Sequence, residues 1–274
     1  TVFQINKFYD KYIMRRIVIG VEYKGNDFHG WQRQKKPELP TVQLMLEQAL
    51  SKIADHPVNI TCAGRTDSGV HATAQVAHFD VDCIRDKKAW LCGTNSMLPR
   101  TIRVRWVEFC DEKFHARHSA LSRRYQYWID NSEVPSSIFS GLLTHYKKSL
   151  DYNLMHHSAQ CLVGEHDFTS FRGSSCESNT PMRNVHYVKV FNQAEKICIE
   201  IQANAFLLHM VRNIAGSLIE VGAKRKPCEW IADLLAKKNR NYAAPTAPPD
   251  GLYLVWVEYP KLNRNDVPKT LFYS

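Results

Sequence analysis

Between Arg16 and Phe109, strand-like runs and amphipathic stretches follow one another in an order that few folds accept. Residues 17–23 read as a strand, and Pro40-Thr41 opens a helix whose apolar positions Val42, Met45, Leu46, Ala49, Leu50 and Ile53 lie on one stripe. Residues 58–62 and 75–81 read as strands on either side of a polar loop, residues 87–97 as a helix and residues 101–109 as a fourth strand. This gives βαββαβ, the split βαβ pattern of a ferredoxin-like sheet. A second round follows: a strand over 122–130, a helix over 152–162, a hairpin of 185–191 and 196–201, a helix over 207–221, an extra helix near 229–236 and a closing strand at 252–259. Element order recurs although no residue-level repeat is visible. The expected fold class is α+β, two halves with adjoining antiparallel sheets and a central cleft. The expected boundaries are an N-terminal extension over 1–13, an N-terminal domain over 14–113 and a C-terminal domain over 114–274.

The polar loop of the first half is Ala63-Gly64-Arg65-Thr66-Asp67-Ser68-Gly69-Val70-His71-Ala72. Its two glycines let the backbone turn sharply and leave the Asp67 carboxylate at a tip. Asp-Ser-Gly is ordinary turn chemistry, so a turn-forming aspartate is the first reading. Arg65 shifts the balance: a cation two residues away keeps Asp67 ionised and oriented, which a nucleophilic carboxylate needs and a surface turn does not.

The loop resembles the catalytic motif of the tRNA pseudouridine synthase A family, Gly-Arg-Thr-Asp-(Ala or Ser)-Gly-Val-His. The likeness continues through Gly30-Trp31-Gln32-Arg33-Gln34, Phe114-His115-Ala116-Arg117, Arg124-Tyr125-Gln126-Tyr127, Asp167-Phe168-Thr169-Ser170-Phe171-Arg172 and His209-Met210-Val211-Arg212-Asn213-Ile214, in family order. Ser68 is an accepted alternative at its position. The resemblance implies a pseudouridine-synthase core in which Asp67 attacks a uridine, at the sugar C1′ or the ring C6, so that the base detaches, turns and rejoins through C5. Both routes stay open. It also implies that Tyr125 stacks on the flipped base and helps remove the C5 proton, and that Arg212 faces the catalytic aspartate across the cleft. Read without the family, Tyr125 and Tyr127 are sheet-packing aromatics and Arg212 is a solvated or capped cation on an otherwise apolar helix. Arg65 and Arg33 are candidates for phosphate contact or for filling the space a flipped base vacates. The implied substrate is the tRNA anticodon stem-loop at positions 38 to 40, and the implied assembly a homodimer. Exchange of a glycosidic bond needs neither redox change nor external energy, so no cofactor is expected.

The net charge of +9 suits a polyanionic partner, and the basic residues are spread in pairs rather than gathered in a tail. Arg103 and Arg105 share one strand face, which reads equally well as a backbone track or a solvated outer face. None of the eight cysteines stands at Cys-x-x-Cys spacing, so neither a zinc site nor a disulfide framework is expected. The twelve histidines include no metalloprotease-like pair, and core or RNA-contact roles suit them better; no metal is expected. Charged residues throughout the first sixteen positions and short apolar runs elsewhere give an expectation of no leader, no membrane span and a cytoplasmic setting. The competing reading is a noncatalytic RNA-binding protein with tandem α+β domains, but no RNP-type aromatic motif is present. A histidine-dependent hydrolase lacks a ligand set.

Overall fold

The computed structural model describes residues 14–34, 39–260 and 262, so the expected extension over 1–13 lies outside the described residues. The chain divides into two compact units, one running to Ala120 and including Tyr259, the other spanning Leu121–Glu258.

In the first unit β1 (Arg15–Tyr23) lies between β3 (His71–Val81) and β4 (Ile102–Cys110), antiparallel to both, and the two-residue β2 (Thr61–Cys62) pairs with β3. The order is β4-β1-β3-β2. Ile17 to Val21 are buried without a break, so both faces of β1 are covered and its sequence is continuously apolar instead of alternating. Helix α1 (Val42–Ala54) starts at Thr41, whose side chain accepts from Leu44 N at 3.3 Å, and stops at Asp55 in a left-handed conformation. It buries Leu46 and Leu50 completely, while Met45 and Ile53 of the expected stripe are half-buried and Leu44 and Glu47 are buried instead.

Glu47 explains a correction. The strand expected over 58–62 shrinks to Thr61–Cys62 because Ile60 N donates to the Glu47 carboxylate at 3.1 Å and Val58 N to Ser51 Oγ at 2.9 Å. Side chains of α1 thus take the backbone donors that a longer strand would use for pairing. The helix expected over 87–97 forms over those residues, with a wide π turn at Ala89–Gly93 leading into a last α-helical turn, α2 (Thr94–Met97). It seats the buried Trp90 indole edge-on to Phe79, with centroids 5.3 Å apart.

In the second unit β5 (Ser122–Asp130) lies between β9 (Lys196–Ala203) and β10 (Leu252–Glu258), and β8 (Met182–Gln193) joins β9 to β7 (Gly164–Asp167), all antiparallel. The short β6 (Thr144–His145) runs parallel to the end of β5. Sequence patterning anticipates neither β6 nor β7: one is too short for a pattern and the other, Gly-Glu-His-Asp, has no apolar alternation. Three helices pack in this unit, α3 (Tyr152–Ala159), α4 (Met210–Gly222) and α5 (Trp230–Lys237). Ile214, Leu218 and Val221 of α4 are fully buried. On the face of β5 opposite Tyr127, Trp128 clusters with Leu143, Cys198, Tyr253 and Val255. The helix expected from 207 begins three residues later because His209 adopts φ 59° and Gly173 N holds the Leu208 carbonyl at 2.8 Å.

Candidate active site

The Asp67 loop joins β2 to β3, and backbone and buried polar side chains hold its tip. Ala63 N donates to Val76 O at 2.8 Å, and the fully buried Gln75 amide donates to Gly64 O at 2.6 Å, which closes the two arms. Thr66 anchors the middle: its hydroxyl lies 2.8 Å from the Tyr23 hydroxyl and its carbonyl accepts from Trp31 N at 3.0 Å. Asp67 O accepts from Val70 N at 3.2 Å across a turn whose third residue, Gly69, has φ 81°, a conformation that favours glycine. The segment carrying Trp31 approaches backbone to backbone. A Cβ at Gly30, itself at φ +82°, would stand 2.7 Å from the Thr66 carbonyl oxygen. This close approach is the physical content of the Gly-Trp block in the sequence. Asp67 ends up half-buried on a braced tip, with Arg65 and Ser68 exposed beside it.

The neighbouring thiol does not compete as a nucleophile: burial pushes the Cys62 thiol up to about 12 despite the charge of Arg65, which keeps it protonated. Arg33 is exposed and sits 3.6 Å from the Glu47 carboxylate. On β4, Arg103 donates to the carbonyls of Pro99 and Ile102 at 2.6 Å, and Arg105 lies 3.4 Å from Glu22. His71 is a buried structural acceptor for Gly25 N at 3.0 Å. His78 accepts from Ala116 N at 3.1 Å, and burial, with help from Arg16 and His115, pulls its imidazole down to about 4. The His115 ring stands 4.7 Å from His78 and the Tyr259 hydroxyl donates to Ala116 O at 2.6 Å, so Phe114-His115-Ala116-Arg117 docks as a knob that leaves Arg117 exposed. Among the described residues no group of His, Cys, Asp or Glu side chains is arranged to hold a metal ion.

In the second unit Tyr125 is buried on β5, opposite Ile201 of β9 and Leu254 of β10. Arg123 and Tyr127 share its face by strand alternation. Arg212 lies half-buried in the first turn of α4, where its Nε donates to Ala247 O at 2.8 Å and its carbonyl accepts from Ala247 N at 3.2 Å. Burial pushes the Tyr127 phenol up while its bond to Thr144 and the Arg212 charge pull the other way. The Tyr127 hydroxyl donates to Pro248 O at 2.9 Å, next in the chain to the Ala247 that Arg212 bonds. The fully buried Asn213 ties two sequence blocks together. Its amide nitrogen donates to Phe171 O at 2.8 Å, and its oxygen accepts from Thr246 at 2.7 Å and Arg240 at 3.0 Å. Asp167 to Arg172 is accordingly a structural turn with Phe168, Ser170 and Phe171 buried.

Of the expected site residues, Asp67 and Arg65 thus share one loop of the first unit, while Tyr125 lies on β5 and Arg212 on α4 of the second. Phe206, which sequence reasoning did not single out, sits edge-on to Tyr125 with centroids 5.0 Å apart. Its only sequence signal is its place between the end of β9 and the Arg212 helix.

A family model described as tRNA pseudouridine synthase matches residues 19–119 and 158–260, segments that contain Asp67, Phe206 and Arg212 but not Tyr125. The chain belongs to that family. It is 55% identical over 246 residues to a tRNA pseudouridine synthase A of Shewanella woodyi, covering 90% of this chain and 94% of the relative. Relatives of the same description from Histophilus somni and Aeromonas salmonicida are 53% and 56% identical, covering 93% and 89% of this chain and 93% and 90% of their own. The enzyme is a pseudouridine synthase, an isomerase. Among the described residues no helix is long and apolar enough to cross a membrane.

Proposed function

We propose that the enzyme converts uridine to pseudouridine in tRNA at positions 38 to 40 of the anticodon stem-loop, with Asp67 as nucleophile. The observation that carries this is the construction of the Asp67 loop: a half-buried carboxylate on a backbone-braced tip, beside an exposed guanidinium. Such a carboxylate keeps its geometry when substrate replaces water, which attack on a nucleoside requires. The reaction balances without an external reagent: the C1′–N1 bond breaks, a C1′–C5 bond forms, and the proton lost from C5 is matched by one gained at N1. Tyr125 supplies the stacking face and the phenol for that proton, Arg65 contacts the RNA, and Arg212 is the cation that keeps the reacting carboxylate ionised. The stem-loop position and a homodimeric assembly rest on the likeness of the motif blocks to the family. With the short β6 and β7 set aside, the strand orders β4-β1-β3-β2 and β10-β5-β9-β8 both follow fourth-first-third-second, which supports reading each unit as a split βαβ half.

The test is to incubate an unmodified tRNA transcript with the protein and map pseudouridine along it. Pseudouridine at positions 38 to 40, absent with Asp67→Asn, is the expected result. Modification elsewhere would overturn the position, and an active Asp67→Asn protein the nucleophile. Arg212→Ala should lower turnover while leaving the salt dependence of tRNA binding near that of the wild type; normal turnover with weaker, less salt-sensitive binding would make Arg212 a phosphate contact.

A further inference from the structure

We propose that Phe206 is a positioning residue for the reaction, fixing the plane of the Tyr125 ring. This role presupposes that Tyr125 meets the flipped uracil. Pairing to β9 and β10 fixes the Cα and Cβ of Tyr125, and the plane of its ring is set by two side-chain torsions and by what packs against them. Phe206 is one such neighbour. The Phe206 ring stands 5.0 Å from it at 83°, within the edge-to-face geometry that aromatic pairs prefer.

Phe206 can act as a stop because its own segment is tied down at both ends. Asn204 N donates to Asn184 O at 3.1 Å, the Asn204 side-chain oxygen accepts from Asn184 N at 3.1 Å, and Asn204 O accepts from Arg123 Nη1 at 3.0 Å. Arg123 stands two residues before Tyr125 on the same face of β5, so one stretch of strand grips the segment by its backbone and meets its aromatic ring. Downstream, Leu207 is buried, Leu208 O holds Gly173 N at 2.8 Å, and the left-handed His209 turns the chain into the helix that carries Arg212. Phe206 itself is half-buried. Its replacement therefore leaves the core intact and changes chiefly the restraint on Tyr125.

The experiment is a double-mutant cycle on the full chain, read as kcat and KM for an unmodified tRNA transcript. Phe206→Leu, which keeps bulk without an aromatic edge, should lower kcat roughly tenfold with KM within about twofold. Phe206→Tyr should restore it, and melting temperatures should stay close to wild type. In a Tyr125→Phe background Phe206→Leu should cost much less, because the phenol it orients is gone. Equal costs in both backgrounds, or an effect confined to KM, would overturn the role of Phe206 alone. Normal turnover by Tyr125→Phe would instead overturn the reading of Tyr125 and this proposal with it.

Discussion

The Asp67 loop and strand β5 hold their key side chains by opposite means. At the loop, restraint comes from the backbone: the Thr66 carbonyl, the Gly64 carbonyl and the Asp67 carbonyl are each bonded, and Gly30 brings a second backbone within contact. On β5, pairing on both sides fixes the backbone, and the Tyr125 ring packs edge-on against Phe206, a side chain from another segment. The difference teaches where each kind of site is robust. A loop tip held by main-chain bonds tolerates changes in the tip's side chain but not in the glycines that let backbones meet, whereas a strand aromatic is exposed to changes in whatever it leans on.

The largest test of that comparison is Asp67→Asn. Turnover should fall by at least about a thousandfold, while tRNA binding and the melting temperature are kept, because the bonds that brace the tip use main-chain atoms. Loss of folding in this variant would break the comparison at its base. Tyr125→Phe comes next, with kcat down about a hundredfold and KM little changed, measured by pseudouridine formation at saturating tRNA. Turnover equal to wild type would make Tyr125 a stacking platform only.

Gly30→Ala probes the backbone contact directly. A methyl group 2.7 Å from the Thr66 carbonyl, at φ +82°, should destabilise the fold by about 1–3 kcal/mol in equilibrium denaturation. A neutral result would show that the two backbones part easily and that the tip is less braced than its bonds indicate. The smallest expected effect concerns the frame of the first unit. The folded state holds His78 neutral down to about pH 4, whereas the unfolded chain takes up that proton near pH 6.5. Stability should therefore fall as pH drops from about 6.5 to about 4, and His78→Asn should show a shallower fall over that window. An unchanged slope would place the acid sensitivity elsewhere.

The alternation of strand and helix was written in the apolar periodicity, most clearly in β1, α1 and β5, and so was the Asp67 tip, because glycines, an Asp-Ser turn and a nearby Arg carry local meaning. The blocks around Gly30, Phe171 and Arg212 were visible as residues but not as contacts. That Gly30 is required by the Thr66 carbonyl, or that Asn213 joins Phe171 to Thr246 and Arg240, depends on segments far apart in sequence.

The sequence by itself determined the kind of element that the longer segments form, since periodicity acts within a few residues, and it marked Asp67 as the candidate nucleophile through the likeness of its loop to the family motif. Only the tertiary structure decided where strand pairing stops, as when Glu47 and Ser51 capture the donors of Ile60 and Val58. It alone put Phe206 against Tyr125 and delayed the Arg212 helix to Met210. These outcomes turn on competition for backbone hydrogen bonds and on packing between distant segments, terms that no local pattern of residues records.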